Sequence, residues 1–199
     1  MSILRSLGAA DNELCVEGKH VYLRLPVFGD FDAWAELRAE SRAYLTPWEP
    51  VWPHDDLTRP AFRRRLRRYT QELRDETAYP FFIFRKHDNA LLGGITLSNI
   101  RRGVTQSCSA GYWTGERFAG QGVMQDAVRA TIPFVFRELR LHRLEAACLP
   151  ENEASKAVLL RAGFQYEGLA RRYLRINGAW RDHLLFAMIE SDPAARFMT

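Results

Sequence analysis

Cysteine is scarce in this chain, three residues in 199, and Cys15, Cys108 and Cys148 stand far apart with no C-x-x-C pair among them. That spacing argues against a disulfide framework or a cysteine-based metal site and leaves three small buried or incidental thiols. Long apolar runs are missing too, so nothing approaches a membrane span. Asp11, Glu13 and Glu17 interrupt the amino-terminal stretch, which therefore lacks a signal-peptide core. The expected setting is cytoplasmic, with no membrane contact and no metal. Repeats are absent, and no histidine stands out as catalytic. What is present is an ordinary globular composition, 47% hydrophobic and 26% charged, in a chain long enough to bury a core as one domain.

Charge is unevenly placed. The net charge is +4, and Arg63, Arg64, Arg65, Arg67 and Arg68 share one segment whose other face carries Phe62, Leu66, Tyr69 and Leu73 at helical spacing. Two readings of this amphipathic helix stand: a solvated face, or a surface for RNA or another anionic partner. No aromatics interleave the arginines, which argues against a single-strand stacking platform.

The coarse path alternates strands and helices. Residues 21–25 read as a first strand, and Asp30 opens a helix that turns Phe31, Trp34 and Leu37 inward. Residues 45–60 form a proline-rich ordered loop in which Trp48 and Trp52 need burial. Strands are expected at 81–85, 91–98, 110–115, 143–149, 164–176 and 182–189, with Asn177-Gly178 as the last hairpin turn. This predicts an α/β (α+β) fold: one central mixed, mostly antiparallel sheet of about six to seven strands with helices on both faces. Pro133 falls inside the helix after residue 122, where a kink or early stop is expected. His142 and His183 are placed at strand edges.

The stretch Arg117-Phe118-Ala119-Gly120-Gln121-Gly122-Val123-Met124-Gln125-Asp126 sits between the strand Ala110–Gly115 and the apolar helical series Met124, Ala127, Val128, Thr131, Val135 and Leu139. Backbone N–H groups at a helix start lack partners and carry a partial positive charge, so an anion settles there. Gly120 and Gly122 let the main chain approach phosphate oxygens, and Arg117 offers a charged fork. The spacing is neither the dinucleotide G-x-G-x-x-G nor a P-loop. A second segment follows about 30 residues later: Asn152-Glu153-Ala154-Ser155 opens a short helix that ends at Gly163-Phe164, with Asn152 as N-cap and Gly163 just past the end.

Together these segments resemble the coenzyme A motifs of the GNAT superfamily of N-acetyltransferases, R/Q-x-x-G-x-G/A followed by N-x-x-S and a helix ending in G-F. Residues 41–50, 97–103 and 177–183 are similar to the RimJ-type branch, which acetylates the N-terminal alanine of a small-subunit ribosomal protein. The resemblance covers roughly residues 20–190. It implies one N-acetyltransferase domain over 1–199, with 1–19 an extension and 191–199 a tail, and a sheet splayed where the cofactor's pantetheine arm enters. Acetyl-CoA is the implied cofactor. Its implied contacts are Tyr112, Trp113 and Thr114; Arg117, Ala119, Gly120, Gln121, Gly122, Val123 and Met124; and Asn152, Ser155 and Lys156.

The implied reaction is direct acetyl transfer to the N-terminal amine, alanine or serine, of a ribosomal or other protein. A small-amine acetyltransferase and a non-catalytic ribosome-assembly factor that retains the cofactor site are the alternatives. For the base, Glu49 beside the substrate entrance is the first candidate, with a salt bridge to an arginine as the competing reading. Ser155 is a candidate donor near the thioester sulfur, or helix surface. Tyr173 is a weaker candidate acid, because the family's tyrosine position in the short helix holds Leu159, Leu160 and Arg161. Asp182 reads as orienting the terminal hairpin. The acetylated protein and the oligomeric state are not encoded in any motif.

Overall fold

In the computed structural model, which describes residues 14–197, the elements follow in this order. Strands β1 (Cys15–Glu17) and β2 (Val21–Arg24) come first, then helices α1 (Phe31–Glu40), α2 (Arg42–Leu45) and α3 (Arg59–Arg74). Next are β3 (Tyr79–Arg85), β4 (Leu91–Arg101) and β5 (Ser107–Thr114), α4 (Val123–Pro133), β6 (Arg143–Cys148) and α5 (Glu153–Ala162). Strands β7 (Gln165–Ile176) and β8 (Ala179–Ile189) and helix α6 (Pro193–Phe197) complete the described chain.

The strands form one mixed sheet in the order β1-β2-β3-β4-β5-β6-β8-β7. Every pair is antiparallel except β5–β6. The sheet has eight strands rather than six or seven, because Cys15–Glu17, inside the segment read as an extension, pair with Tyr22–Arg24. Residues 1–13 of that extension lie outside the described residues. At the other end, α6 lies within the segment read as a tail, and Ala195 is buried.

The β5–β6 pairing opens the site. Ser107–Ala110 match Arg143–Ala146, and no pair continues it. On its other side β5 stays paired to β4 as far as Thr114. Gly111 to Thr114 therefore face a gap where β6 has turned away toward β8.

Packing follows the apolar patterns. Phe31, Trp34 and Leu37 of α1 are buried, and Trp34 lies 4.8 Å from the Phe62 ring of α3. Each such side chain contributes about 1.5–3 kcal/mol on burial. Ala127, Val128 and Ile132 of α4 are likewise buried. Pro133 does not stop the helix: the chain continues as a π turn, Phe134–Glu138, with Leu139 N donating to Phe134 O at 2.9 Å. Pro133 offers no N–H to the preceding turn, and burial of Phe134 and Val135 keeps the backbone coiled in this wider form.

Asn177 and Gly178 take φ of 44° and 81° between β7 and β8, the left-handed pair of a tight hairpin turn. Asp182 accepts from Arg172 N at 2.8 Å across that hairpin. His183 is not at a strand edge: it is buried inside β8, with Nδ1 3.0 Å from Arg181 O.

The arginine helix is largely neutralised within the molecule. Arg64 pairs with Asp55, Arg65 with Asp56 and Arg68 with Glu72, while Arg63 lies over the Phe28 ring. Arg67 has no acidic partner among the described residues. Arg65 is not on the outer face; its guanidinium lies 5.1 Å from the Trp34 ring centre.

Candidate active site

The gap beside β5 opens into a cavity of about 260 Å³. Tyr112, Trp113 and Thr114 line it from the strand; Ala119, Gly120, Gly122, Val123 and Met124 from the loop and α4; Asn152 and Ser155 from α5. Glu49 closes the far end with Tyr44 and Trp48.

Local chemistry builds each wall. Gly120 and Gly122 have φ of 73° and 77°, a left-handed backbone that side chains rarely adopt, and nothing lies within 4 Å of where a Cβ would stand on either. The first α4 hydrogen bond runs from Asp126 N to Gly122 O at 3.0 Å, so the N–H groups of Val123, Met124 and Gln125 have no acceptor within the helix. Asn152 caps α5, its Oδ1 accepting from Ser155 N at 3.0 Å. Gly163 ends the helix at φ 98°.

The Tyr112 and Ser155 hydroxyls are 2.8 Å apart and bridge the gap. Burial pushes the Tyr112 phenol well above its ordinary value, against a smaller lowering from the Ser155 bond. Burial likewise raises the nearby Cys148 thiol, again opposed by Ser155.

Glu49 is held by an arginine. Arg38 Nη1 and Nη2 donate to its two carboxylate oxygens at 2.7 Å each, and Trp52 Nε1 adds a third bond at 2.7 Å. Arg38 is 7% exposed, with its guanidinium 3.9 Å from the Trp52 ring and 4.8 Å from Trp113. Three donors hold this carboxylate in place, and the salt-bridge reading describes its geometry. Arg38 was missed at the sequence level. It sits one turn after Trp34 on the buried side of α1, and a buried arginine demands a carboxylate.

Three expected cofactor contacts and one candidate acid lie outside the cavity lining. Arg117 turns to Glu40 at 3.2 Å, Gln121 donates to Arg117 O at 2.8 Å, and Lys156 pairs with Glu153. None of these three lines the cavity. Tyr173 faces a second cavity with Ser109, Arg143, Glu145 and Glu167, its ring 5.8 Å from His183. The β7 bulge between Ala170 and Leu174 carries it there, which removes it as an acid acting with Ser155.

Main-chain donors at one end, an open strand edge in the middle and paired hydroxyls beyond suit a long molecule with a phosphorylated end and an amide-bearing arm. Coenzyme A has that form, and the glycine positions leave room for its pyrophosphate.

A family model described as "Acetyltransferase (GNAT) domain" matches residues 20–165. Among curated proteins, the [Ribosomal protein uS5]-alanine N-acetyltransferase of Escherichia coli is 36% identical over 165 residues, 82% of this chain and 85% of the relative. The Probable N-acetyltransferase YjcK of Bacillus subtilis is 35% identical over 177 residues, 89% of this chain and 98% of the relative. Among solved structures, Mycobacterium smegmatis RimJ in complex with CoA-disulfide superposes with a TM-score of 0.86 at 32% identity, covering 92% of both chains. Among the described residues no helix is long and apolar enough to cross a membrane.

Proposed function

Since this chain belongs to the GNAT acetyltransferase family, we propose that it acetylates the N-terminal α-amino group, alanine or serine, of a ribosomal protein. It is an acyltransferase, and acetyl-CoA supplies the acetyl group as a thioester. The observation that carries the choice of amine is the engagement of Glu49 by Arg38 and Trp52. An α-amino group with a pKa of about 7.7–8.0 is already partly neutral near pH 7.4, whereas a lysine near 10.4 needs a base. A site whose carboxylate is occupied by three donors suits the former. The alanine-specific relative supports the same reading.

In this proposal the α4 N–H groups and Gly120 and Gly122 hold the pyrophosphate, and the open edge at Tyr112–Thr114 and Asn152 hold the pantetheine arm. The acceptor amine reacts in its neutral form and gives up its surplus proton to water, while the charge-balanced Arg38–Glu49 pair fixes the polar wall beside it. Tyr112 and Ser155, whose hydroxyls are paired, would supply a proton to the leaving thiolate. An RNA contact through α3 rests on Arg63 and Arg67, since Arg64, Arg65 and Arg68 are engaged by acidic side chains.

Incubation with acetyl-CoA and short peptides tests the proposal by mass gain. Acetylation is expected on peptides starting with Ala or Ser, and none on acetyl-blocked peptides with an internal lysine. Transfer to polyamines or drugs with no transfer to any peptide overturns it in favour of a small-amine enzyme. Cofactor binding with no transfer at all points to the assembly-factor alternative.

A further inference from the structure

Strand β7 ends the sheet, so among the described residues its outer edge has no neighbouring strand. Of its twelve residues only Ile176 is buried. Outside its bulges, and apart from Arg172 N, which donates to Asp182, such an edge presents N–H and C=O groups as a template for another extended chain. Tyr166 and Leu169 of this strand and Trp180 of β8 are each between 50% and 62% exposed, beside Tyr173 and Leu174, which turn over the sheet face into the second cavity. Exposed apolar side chains beside an open edge suit a docking face.

The charge between these side chains is of one sign. Arg143 is matched by Glu167 and Arg181 by Glu151. Arg171, Arg172 and Arg175 have no acidic partner among the described residues. Of the hairpin's two carboxylates, Glu167 is taken by Arg143 and Asp182 is turned inward to Arg172 N.

This strip begins at the mouth of the cavity. Asn177 N donates to Glu49 O at 2.9 Å, and a Cβ on Gly178 would stand 3.7 Å from Val51. A chain whose first residue lies in the cavity and which leaves past Glu49 therefore meets the hairpin tip and then the β7 edge.

We propose that the β7 edge and hairpin tip dock an acidic, extended segment of the acceptor protein that follows its reacting N-terminus. The inference rests on the reading of this chain as a protein N-terminal acetyltransferase. Main-chain pairing along the edge supplies affinity, and the three guanidiniums select carboxylates. A second copy of this chain is a poor occupant, because edge-to-edge pairing sets the same arginines against each other.

Three peptides beginning with the same alanine test it: a tripeptide, and two twelve-residue peptides with acidic or basic residues from the fifth position on. The wild type is expected to turn over the acidic peptide with kcat/KM about tenfold above the basic one at low salt, a gap that shrinks as salt rises. The double variant Arg171→Glu/Arg175→Glu should reverse that preference and leave tripeptide turnover unchanged. The same preference in wild type and variant overturns the dock, while continued tripeptide turnover leaves the acetyltransferase reading intact. Anisotropy of the acidic peptide in N-acetylated form reads the dock without turnover. Unchanged binding by the double variant overturns it. Tight binding of an oligouridylate that the variant loses, with peptide preference unaltered, assigns the strip to RNA and also overturns it.

Discussion

The Tyr112 hydroxyl lies 2.8 Å from Ser155 Oγ and ties β5 to the first turn of α5 across the break in the sheet. Tyr112→Phe removes the donor and leaves the ring in place. We expect kcat to fall about 10²-fold, the scale of one positioned acid, with cofactor affinity nearly unchanged. Isothermal titration with coenzyme A beside steady-state kinetics checks this. An unaltered kcat removes Tyr112 from the chemistry.

Glu49→Gln leaves the buried Arg38 without its counter-charge. The cost expected is about 2–3 kcal/mol, below the range for fully enclosed pairs because Glu49 keeps some solvent contact. For a chain of this size that lowers Tm by roughly 5–10 °C. Turnover should fall while its pH profile between 6 and 9 keeps the wild-type shape. Loss of an acidic limb in the variant alone would restore Glu49 as the base.

Gly120→Glu sets a carboxylate in the open space before the α4 amides and should abolish cofactor binding. Gly122→Ala keeps that space nearly clear but forces a side chain onto a left-handed backbone, costing about 1 kcal/mol of stability. Thermal melts with and without coenzyme A separate the two effects. A Gly120→Glu protein that binds with wild-type affinity shows that the anion lies elsewhere.

Cys108 is buried on β5, and burial pushes its thiol from an ordinary 9.0 up to about 12. Its folded-state value is raised, so the contribution is intact below pH 9.0 and is lost as pH climbs through about 12. Tm should decline between pH 9 and 11, and less steeply in Cys108→Ala. Parallel declines in the two proteins would refute this.

Much of the glycine loop and the short helix was legible because both depend on local backbone chemistry. Glycines at left-handed positions, an asparagine cap and a glycine helix end leave the same trace wherever they occur. The acceptor end depends on tertiary pairing and was not legible. Glu49 invited an arginine, but only the fold brings Arg38 to it across a turn of chain. Arg117 and Lys156 match the motif yet answer to nearby Glu40 and Glu153, and Tyr173 is carried into another cavity by a bulge no residue announces. Strand β1 is too short for its alternation to register. What holds it comes from the far side of the loop.

That anchor is Asp126, whose carboxylate accepts from Lys19 N at 2.8 Å, His20 N at 2.6 Å and Val21 N at 3.2 Å. The first turn of α4 thus has two faces, unpartnered amides in front and a side chain that holds the β1–β2 turn behind. A ligand that stiffens this helix start also stiffens a hairpin more than a hundred residues upstream, and by reciprocity a firmer hairpin tightens the ligand's grip. The amide protons of Lys19, His20 and Val21 become a remote gauge of cofactor occupancy, readable by slowed hydrogen exchange.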